Sequence, residues 1–248
     1  NAHVLVLGLG GVGSFAAEFI CRSGVGKMTI IDGDTVDPSN RNRQLPALAT
    51  NHGHAKVQIM KERLLAINPE LALTVIQDFV LPERIHELLA LKPDYCIEAI
   101  DSITPKLFFI RAALEEKIPF VSSMGAGGKM DPTKLKIDDI SNTFNCKLAL
   151  HIRKKLRKHG IQDGVKVVFS TEELDKTSLL YTDGSNYKKS AYGTMSYLPA
   201  AFGGTLASVA LRELMSIDLN IKPKPKKASK GKNPKAIGVA VESRKLKK

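Results

Sequence analysis

Val4-Leu5-Val6-Leu7-Gly8-Leu9-Gly10-Gly11-Val12-Gly13 is the stretch from which the rest of the chain is read. Its first four residues are all apolar, too short a run for a helix and suited to a strand buried on both faces. Gly8, Gly10 and Gly13 follow in the spacing G-x-G-x-x-G, with Gly11 between them, and residues 13–23 then take up helical periodicity. Strand, glycine turn and helix in that order bring backbone N–H groups and the positive end of a helix dipole to one point, where a phosphate is favoured. Glycine serves the tight turn and lets the backbone approach the anion closely. Asp32 closes the next strand, residues 27–31, 19 positions after Gly13, where a carboxylate suits ribose hydroxyls. The same pattern also fits a glycine turn needed only for helix–strand packing.

Outward from this unit the alternation continues. Apolar runs at 71–76, 95–100 and 120–124 read as strands. Between them, 56–66 is helical with Val57, Met60, Leu64 and Ile67 on one face, 83–91 follows Pro82, and 106–117 makes a further helix. Short buried strands separated by helices imply βαβ units, hence an α/β fold: a Rossmann-like, doubly wound sheet, parallel in its N-terminal half. After Gly125 the texture changes to a smaller mixed α/β C-terminal extension. It has strands at 135–140 and 165–170, an amphipathic helix over 147–159, a polar loop over 175–195 expected to be long and mobile, and a helix over 198–215. That last helix is rich in small residues and could pack closely against another helix. The expected organisation is one domain over 1–220, with a nucleotide half (1–125) and a second half (126–220), then a basic flexible tail over 221–248.

Composition sets the outer bounds. The chain has 248 residues, 43% hydrophobic and 25% charged, enough for a core without disulfide or metal staples. No apolar run approaches the roughly 20 residues of a membrane span. Cys21, Cys96 and Cys146 are too few and too scattered for a disulfide framework or a four-cysteine zinc site, which fits a reducing, cytoplasmic compartment. Cys21 and Cys96 read as small buried hydrophobes, while Cys146 opens a basic helix and is the one with a chance of exposure. The formal charge of +12 is concentrated: residues 221–248 hold ten Lys and one Arg against Glu242, leaving +2 for residues 1–220. That tail, with a loosely held strand at 236–241, and the Lys/Arg face of 147–159 are candidate contacts for a nucleic-acid backbone, or plain solvated surface. Tyr181, Tyr187 and Tyr192 are candidates to stack on bases. The chain opens on Asn1 almost directly before a strand, so a preceding segment is expected.

The glycine unit suits a nicotinamide dinucleotide as well as ATP, and the next segment separates them. Asp34-Thr35-Val36-Asp37-Pro38-Ser39-Asn40-Arg41-Asn42-Arg43-Gln44 is followed by Gly53-His54-Ala55-Lys56 at a helix start. Arg43, Lys56 and Arg41 bring positive charge to the phosphate end. A departing pyrophosphate needs it, and a dinucleotide held by the glycine loop does not. Asp101, just beyond the strand ending Glu98-Ala99-Ile100, is placed to hold Mg2+. Asp34 reads equally as a ligand or a turn former. His52 and His54 read as surface loop.

With Gly8-x-Gly10-Gly11-Val12-Gly13, Ile31-Asp32-x-Asp34, Asn40-x-x-Arg43-Gln44, Lys56 and Ala99-Ile100-Asp101, residues 3–125 resemble the ubiquitin-activating-type (ThiF-type) adenylylating enzymes. The resemblance implies ATP with Mg2+ and adenylylation of a carboxylate. It also implies ribose contact by Asp32, phosphate contacts by Asn40, Arg43, Lys56 and Gln44, and Asp101 as the Mg2+ and adenylylation carboxylate. Within that superfamily the chain looks most like the tRNA threonylcarbamoyladenosine dehydratase branch. The resemblance there runs through Ala99-Ile100-Asp101-Ser102-Ile103-x-Pro105-Lys106, Gly125-Ala126-Gly127-Gly128-x-x-Asp131-Pro132, Val167-Val168-Phe169-Ser170-Thr171-Glu172-Glu173 and Gly193-Thr194-Met195-Ser196-Tyr197-Leu198-Pro199-Ala200. Members of that branch cyclise a modified adenosine at position 37 of certain tRNAs. Likeness to this branch implies a ligase-type, tRNA-modifying enzyme, a homodimer, and a cysteine desulfurase or sulfur-acceptor system as a further candidate partner. Relatives carry a helix before the first strand, in some with an arginine that reaches the partner subunit's ATP. The alternatives are an activator of a ubiquitin-like or sulfur-carrier protein, against which the lack of C-x-x-C speaks, a nicotinamide-dependent dehydrogenase, and a noncatalytic nucleotide-gated RNA binder.

Overall fold

The computed structural model describes residues 2–174, 177, 179–181 and 190–224, with 179–181, 190 and 191 described for their backbone alone. The first half runs β1 His3–Leu7, α1 Gly13–Arg22, β2 Lys27–Ile31, α2 Lys56–Ile67, β3 Ala72–Ile76, α3 Pro82–Leu89, β4 Tyr95–Glu98, α4 Ile103–Glu115 and β5 Phe120–Ser123. The second runs β6 Leu135–Asp139, α5 Lys147–Lys158, β7 Lys166–Ser170, β8 Leu179–Tyr181, β9 Ser190–Tyr192 and α6 Tyr197–Leu214. Seven strands form one sheet in the order β3-β2-β1-β4-β5-β7-β6, and β8 pairs with β9 apart from it. All neighbours in the large sheet are parallel except β6 against β7. The doubly wound, N-terminally parallel sheet with a mixed extension is therefore what the chain adopts.

Period-two alternation in β1 divides the core. Val4 and Val6 point into a layer with Ala16 and Ile20 of α1, Met60 and Leu64 of α2, and Phe202 and Leu206 of α6. Leu5 and Leu7 point into the opposite layer with Leu88 of α3, Phe109 and Ile110 of α4, and Ile152 and Leu156 of α5. A strand covered on both faces is mostly apolar, and β1 is buried along its length, with its one polar side chain, His3, 2.9 Å from Thr29 Oγ1. The small residues of α6 are used inside the chain: a Cβ on Gly203 would lie 2.6 Å from the Val12 carbonyl oxygen and 2.8 Å from the Phe15 Cβ. The close helix approach expected of α6 is thus made with α1, and α6 backs the glycine turn.

Three expectations need correction. Helix α4 starts at Ile103, not at 106. Pro105 lies in its first turn, where the missing N–H would have had no helical partner. The 175–195 region is not all loop, since Leu179–Tyr181 and Ser190–Tyr192 pair antiparallel. Cys146, 8% exposed, is buried: it sits at the N-cap of α5 under the Gly125 turn. The possible strand at 236–241 and most of the basic tail lie outside the described residues. Among the described residues no helix is long and apolar enough to cross a membrane.

Candidate active site

The order of the sheet places the site. β2 and β3 lie to one side of β1, β4 and β5 to the other, so the chain direction of winding reverses between β1 and β4. A crevice opens beyond the C-terminal ends of strands at such a reversal. Leu7 pairs with Glu98, so the turns that follow β1 and β4 leave the sheet side by side. Gly8 has φ +87°, and a Cβ there would sit 3.2 Å from the Ala99 carbonyl oxygen. At Gly13 a Cβ would fall 1.8 Å from the Gly8 carbonyl oxygen, so the path of the turn requires glycine. Gly11 is confined between the Arg43 carbonyl oxygen and Pro199, each 3.1 Å from a Cβ. Gly10 differs: its nearest neighbour would be Gln44 Nε2 at 3.9 Å. Packing explains Gly8 and Gly13 but leaves open room at Gly10, as a cradle for a ligand would. No acidic side chain lies in the first turn of α1 and none caps it, so its positive end is left for an anion.

Asp32, buried at the end of β2, turns its carboxylate back on the glycine loop. Oδ2 accepts from Leu9 N at 2.5 Å and Oδ1 from Asp34 N at 2.8 Å. Burial pushes the Asp32 carboxyl above its usual range, opposed by the Lys56 charge and by these two N–H donors. Lys56 is not a solvated lysine. It is 3% exposed, at the start of α2, with Nζ 2.9 Å from Asp34 Oδ2. Asp34 also accepts Lys56 N through its main-chain oxygen at 3.1 Å, so its side chain and its main chain both bind Lys56.

Residues 38–44 form the opposite wall. Asn40 is buried and closes a reciprocal cap, its Oδ1 accepting from Asp37 N at 3.2 Å while Asp37 accepts from Ser39 N at 2.8 Å. Its carbonyl receives Arg43 N and Gln44 N. The Asn40 side chain is thus engaged in shaping this loop. Arg43 Nη1 donates to Ser39 O at 2.9 Å and to Asn42 Oδ1 at 2.7 Å. Burial draws the Arg43 guanidinium below its ordinary value, and the Asp101 carboxylate across the crevice opposes that. Gln44 Oε1 is buried without a hydrogen-bond partner, next to the open space at Gly10. Asp101 itself is exposed at the mouth. The glycine turn, Asp32, Lys56, Arg43, Gln44 and Asp101 are therefore gathered around one crevice. His52 and His54 stay exposed beside it.

Sequence reasoning gave no role to Asn42 or Lys129. Asn42 Nδ2 donates to Thr194 O at 3.1 Å, tying the wall to the segment before α6. Tyr192 packs on Gly127 and its hydroxyl accepts from Lys147 Nζ, so its ring is engaged within the chain. Tyr187 and the side chain of Tyr181 lie outside the described residues. Lys129 is buried and donates from Nζ to Asn145 O at 2.9 Å and to Glu172 O, while the Glu172 carboxylate accepts from Met130 N and Asp131 N at 2.9 Å each. Behind Asp101, Glu98 and Lys106 pair in the core. Among the described residues no group of three or more His, Cys, Asp or Glu side chains gathers as a metal site.

The model of the ThiF family matches residues 1–247. A tRNA threonylcarbamoyladenosine dehydratase of Escherichia coli is 39% identical over 233 residues, covering 87% of each chain. One of Bacillus subtilis is 46% identical over 172 residues, 69% of this chain and 68% of its own. The crystal structure of the E. coli enzyme in complex with ATP superposes with a TM-score of 0.78 at 39% identity, covering 87% of this chain and 86% of that one.

Proposed function

The chain belongs to the ThiF family, and from that premise we propose that it is an ATP-dependent, ligase-type enzyme that cyclises N6-threonylcarbamoyladenosine at position 37 of tRNA, with loss of water. The observation that carries this reading is the crevice itself: a glycine turn with room at Gly10, the cations Arg43 and Lys56 on its walls, and the Asp101 carboxylate at its mouth.

A free carboxylate is a poor electrophile at neutral pH. Attack of the threonyl carboxylate on the α-phosphorus of ATP forms the acyl–phosphate bond and releases pyrophosphate. A nucleophile within the same modified side chain then attacks the activated carbonyl, closes the ring and expels AMP. No enzyme nucleophile is needed, because covalent structure already holds the attacking group close. The work left to this chain is binding, orientation and charge. We assign ribose contact to Asp32, phosphate contacts to the N–H groups of Gly10 and Gly11, to Gln44 and to Lys56, and stabilisation of the departing pyrophosphate to Arg43. Asn40 acts by fixing the loop that presents Arg43. One carboxylate together with phosphate oxygens and water is a usual donor set for Mg2+; Asp101 is the residue that would hold the ion, which would there neutralise phosphate charge.

The same reading places the nucleotide on residues 1–125 and the tRNA on 126–220, with the basic face of α5 toward the RNA backbone, in a cytoplasmic homodimer. Arg43→Ala is expected to slow pyrophosphate release by about 100-fold, the usual loss for one donor to a developing oxyanion. Arg43→Lys recovers little of it, since an ammonium cannot reproduce the guanidinium fork. ATP–pyrophosphate exchange measured with each variant checks both. In the wild-type protein, exchange that requires tRNA bearing the threonylcarbamoyl group supports this function. Exchange driven instead by the C-terminus of a ubiquitin-like carrier would make the chain an activator of such carriers.

A further inference from the structure

Two opposite charges lie in the core where neither meets water. Glu98, the last residue of β4, and Lys106, in α4, are both 0% exposed. Lys106 Nζ uses its three donors on Glu98 Oε2, on Ser122 Oγ at 3.2 Å and on Ser123 O at 2.8 Å. Glu98 Oε2 also accepts the Ser122 hydroxyl, and Glu98 Oε1 accepts Ile100 N at 2.8 Å. Every donor and acceptor of the pair is thus used, on groups from β4, α4 and β5.

Stability does not explain this arrangement. The desolvation of two charges offsets most of their attraction, and an apolar pair of similar volume fills a core as well or better. What the charged pair adds is direction. It closes a ring around residues 98–106, and the outermost part of that ring is the turn bearing Asp101. On the inner side of the turn, Ala99 N is tied to Leu7 O at 2.9 Å and Ile100 N to Glu98. On the outer side, Lys106 N is tied to Ser102 O at 3.3 Å, while its side chain reaches β5. Asp101 has its neighbours fixed on both sides by groups that answer to one buried ion pair.

We propose that Glu98 and Lys106 are positioning residues for the reaction: their buried, fully bonded pair sets the backbone of the 99–102 turn and thereby holds Asp101 at the reacting end of the crevice. This rests on the role given above to Asp101. Neither residue touches substrate. A displacement near 1 Å of a catalytic group costs about 100-fold in rate, so a small slackening of this turn is enough to be measured.

Single substitutions strand a buried charge, so the test removes both. Glu98→Leu/Lys106→Met keeps volume and loses direction. It is expected to bind ATP within about three-fold of wild type, to release pyrophosphate at least about 10-fold more slowly, and to exchange the Ile100 amide hydrogen faster. Glu98→Gln/Lys106→Met is expected to recover most of the rate, because the glutamine carbonyl still accepts Ile100 N–H and its amide, in the place of Oε2, donates to Ser122 Oγ. In an Asp101→Ala background, neither pair of changes slows the residual reaction further. If the leucine–methionine protein does not fold, Ser122→Ala, which removes one bond from each partner, is run through the same cycle, with a smaller loss that again vanishes when Asp101 is absent. Wild-type rates in these variants, or losses that multiply with Asp101→Ala, overturn the proposal. Asp101→Ala reacting at the full rate would instead overturn the role of Asp101 itself, and this inference with it.

Discussion

Asp101→Ala is expected to slow formation of the adenylate roughly 100- to 1,000-fold, while ATP binds within about three-fold of wild type. The asymmetry follows from where the side chain sits. Asp101 is exposed, whereas Asp32, which with the glycine turn is assigned above to the nucleotide, is buried and bonded to Leu9 N. Its removal opens no cavity in the core and leaves Glu98 with all its bonds. What is lost is a carboxylate near Arg43, expected to matter as charge builds on the phosphates. Loss of kcat without loss of ATP affinity marks a group that acts in the transition state. Single-turnover pyrophosphate release and equilibrium ATP binding on the same protein check it. A rate within a few-fold of wild type would remove Asp101 from the chemistry.

The second large effect separates two glycines of one motif. In Gly13→Ala the new methyl meets the Gly8 carbonyl oxygen at 1.8 Å and Ala99 Cβ at 3.1 Å, backbone and core that cannot swing aside. Destabilisation by about 3 kcal/mol or more is expected, at the upper end of overpacking costs. That is a fall in Tm of roughly 6–12 °C for a chain of this size. In Gly10→Ala the methyl enters open space, with only Gln44 Nε2 at 3.9 Å. Its Tm should stay within about 1–2 °C of wild type, while the ATP dissociation constant rises about 10-fold or more, because the methyl occupies the place of the phosphate. Thermal unfolding and ATP titration of the two variants make the comparison. If Gly10→Ala binds ATP normally, the turn is a packing device and not a phosphate cradle.

Much of the fold was legible because the physics is local. Strands buried on both faces are largely apolar, and residues 4–7 of β1 and 30–31 of β2 announce themselves that way. The glycine turn is legible because residues with no side chain stand where the turn needs them. Limits appear where a residue's meaning depends on a distant partner. Lys56 reads as a cation near phosphate, but its burial against Asp34 requires the loop between them to close through the Thr35–Ala55 bridge. Asn40 reads as a phosphate ligand, and nothing local in the sequence tells that its Oδ1 also closes a short cap with Asp37. Strands β8 and β9 are three residues each, too short for alternation to register. Cys146 was open to reading as exposed because it begins a basic helix. Its burial comes from the Gly125 turn, which folds over it from 21 positions upstream.

Lys106 carries a signal that the sequence does hold. It falls on the inward stripe of α4 with Phe109, Ile110 and Ala113, and Glu98 ends an otherwise apolar strand. A charge in the buried stripe of a helix and another in a buried strand, eight residues apart, have few ways to coexist other than pairing. The geometry of that pair, aimed at the turn bearing Asp101, needed the structure.

The central claim is the reaction itself, and nucleoside mass analysis tests it most directly. tRNA bearing N6-threonylcarbamoyladenosine is incubated with the full chain, ATP and Mg2+, then digested. The account predicts that this nucleoside loses the mass of one water, only when ATP is present, and that one AMP appears for each nucleoside converted. An unchanged nucleoside under conditions where the protein is folded and binds ATP would contradict it.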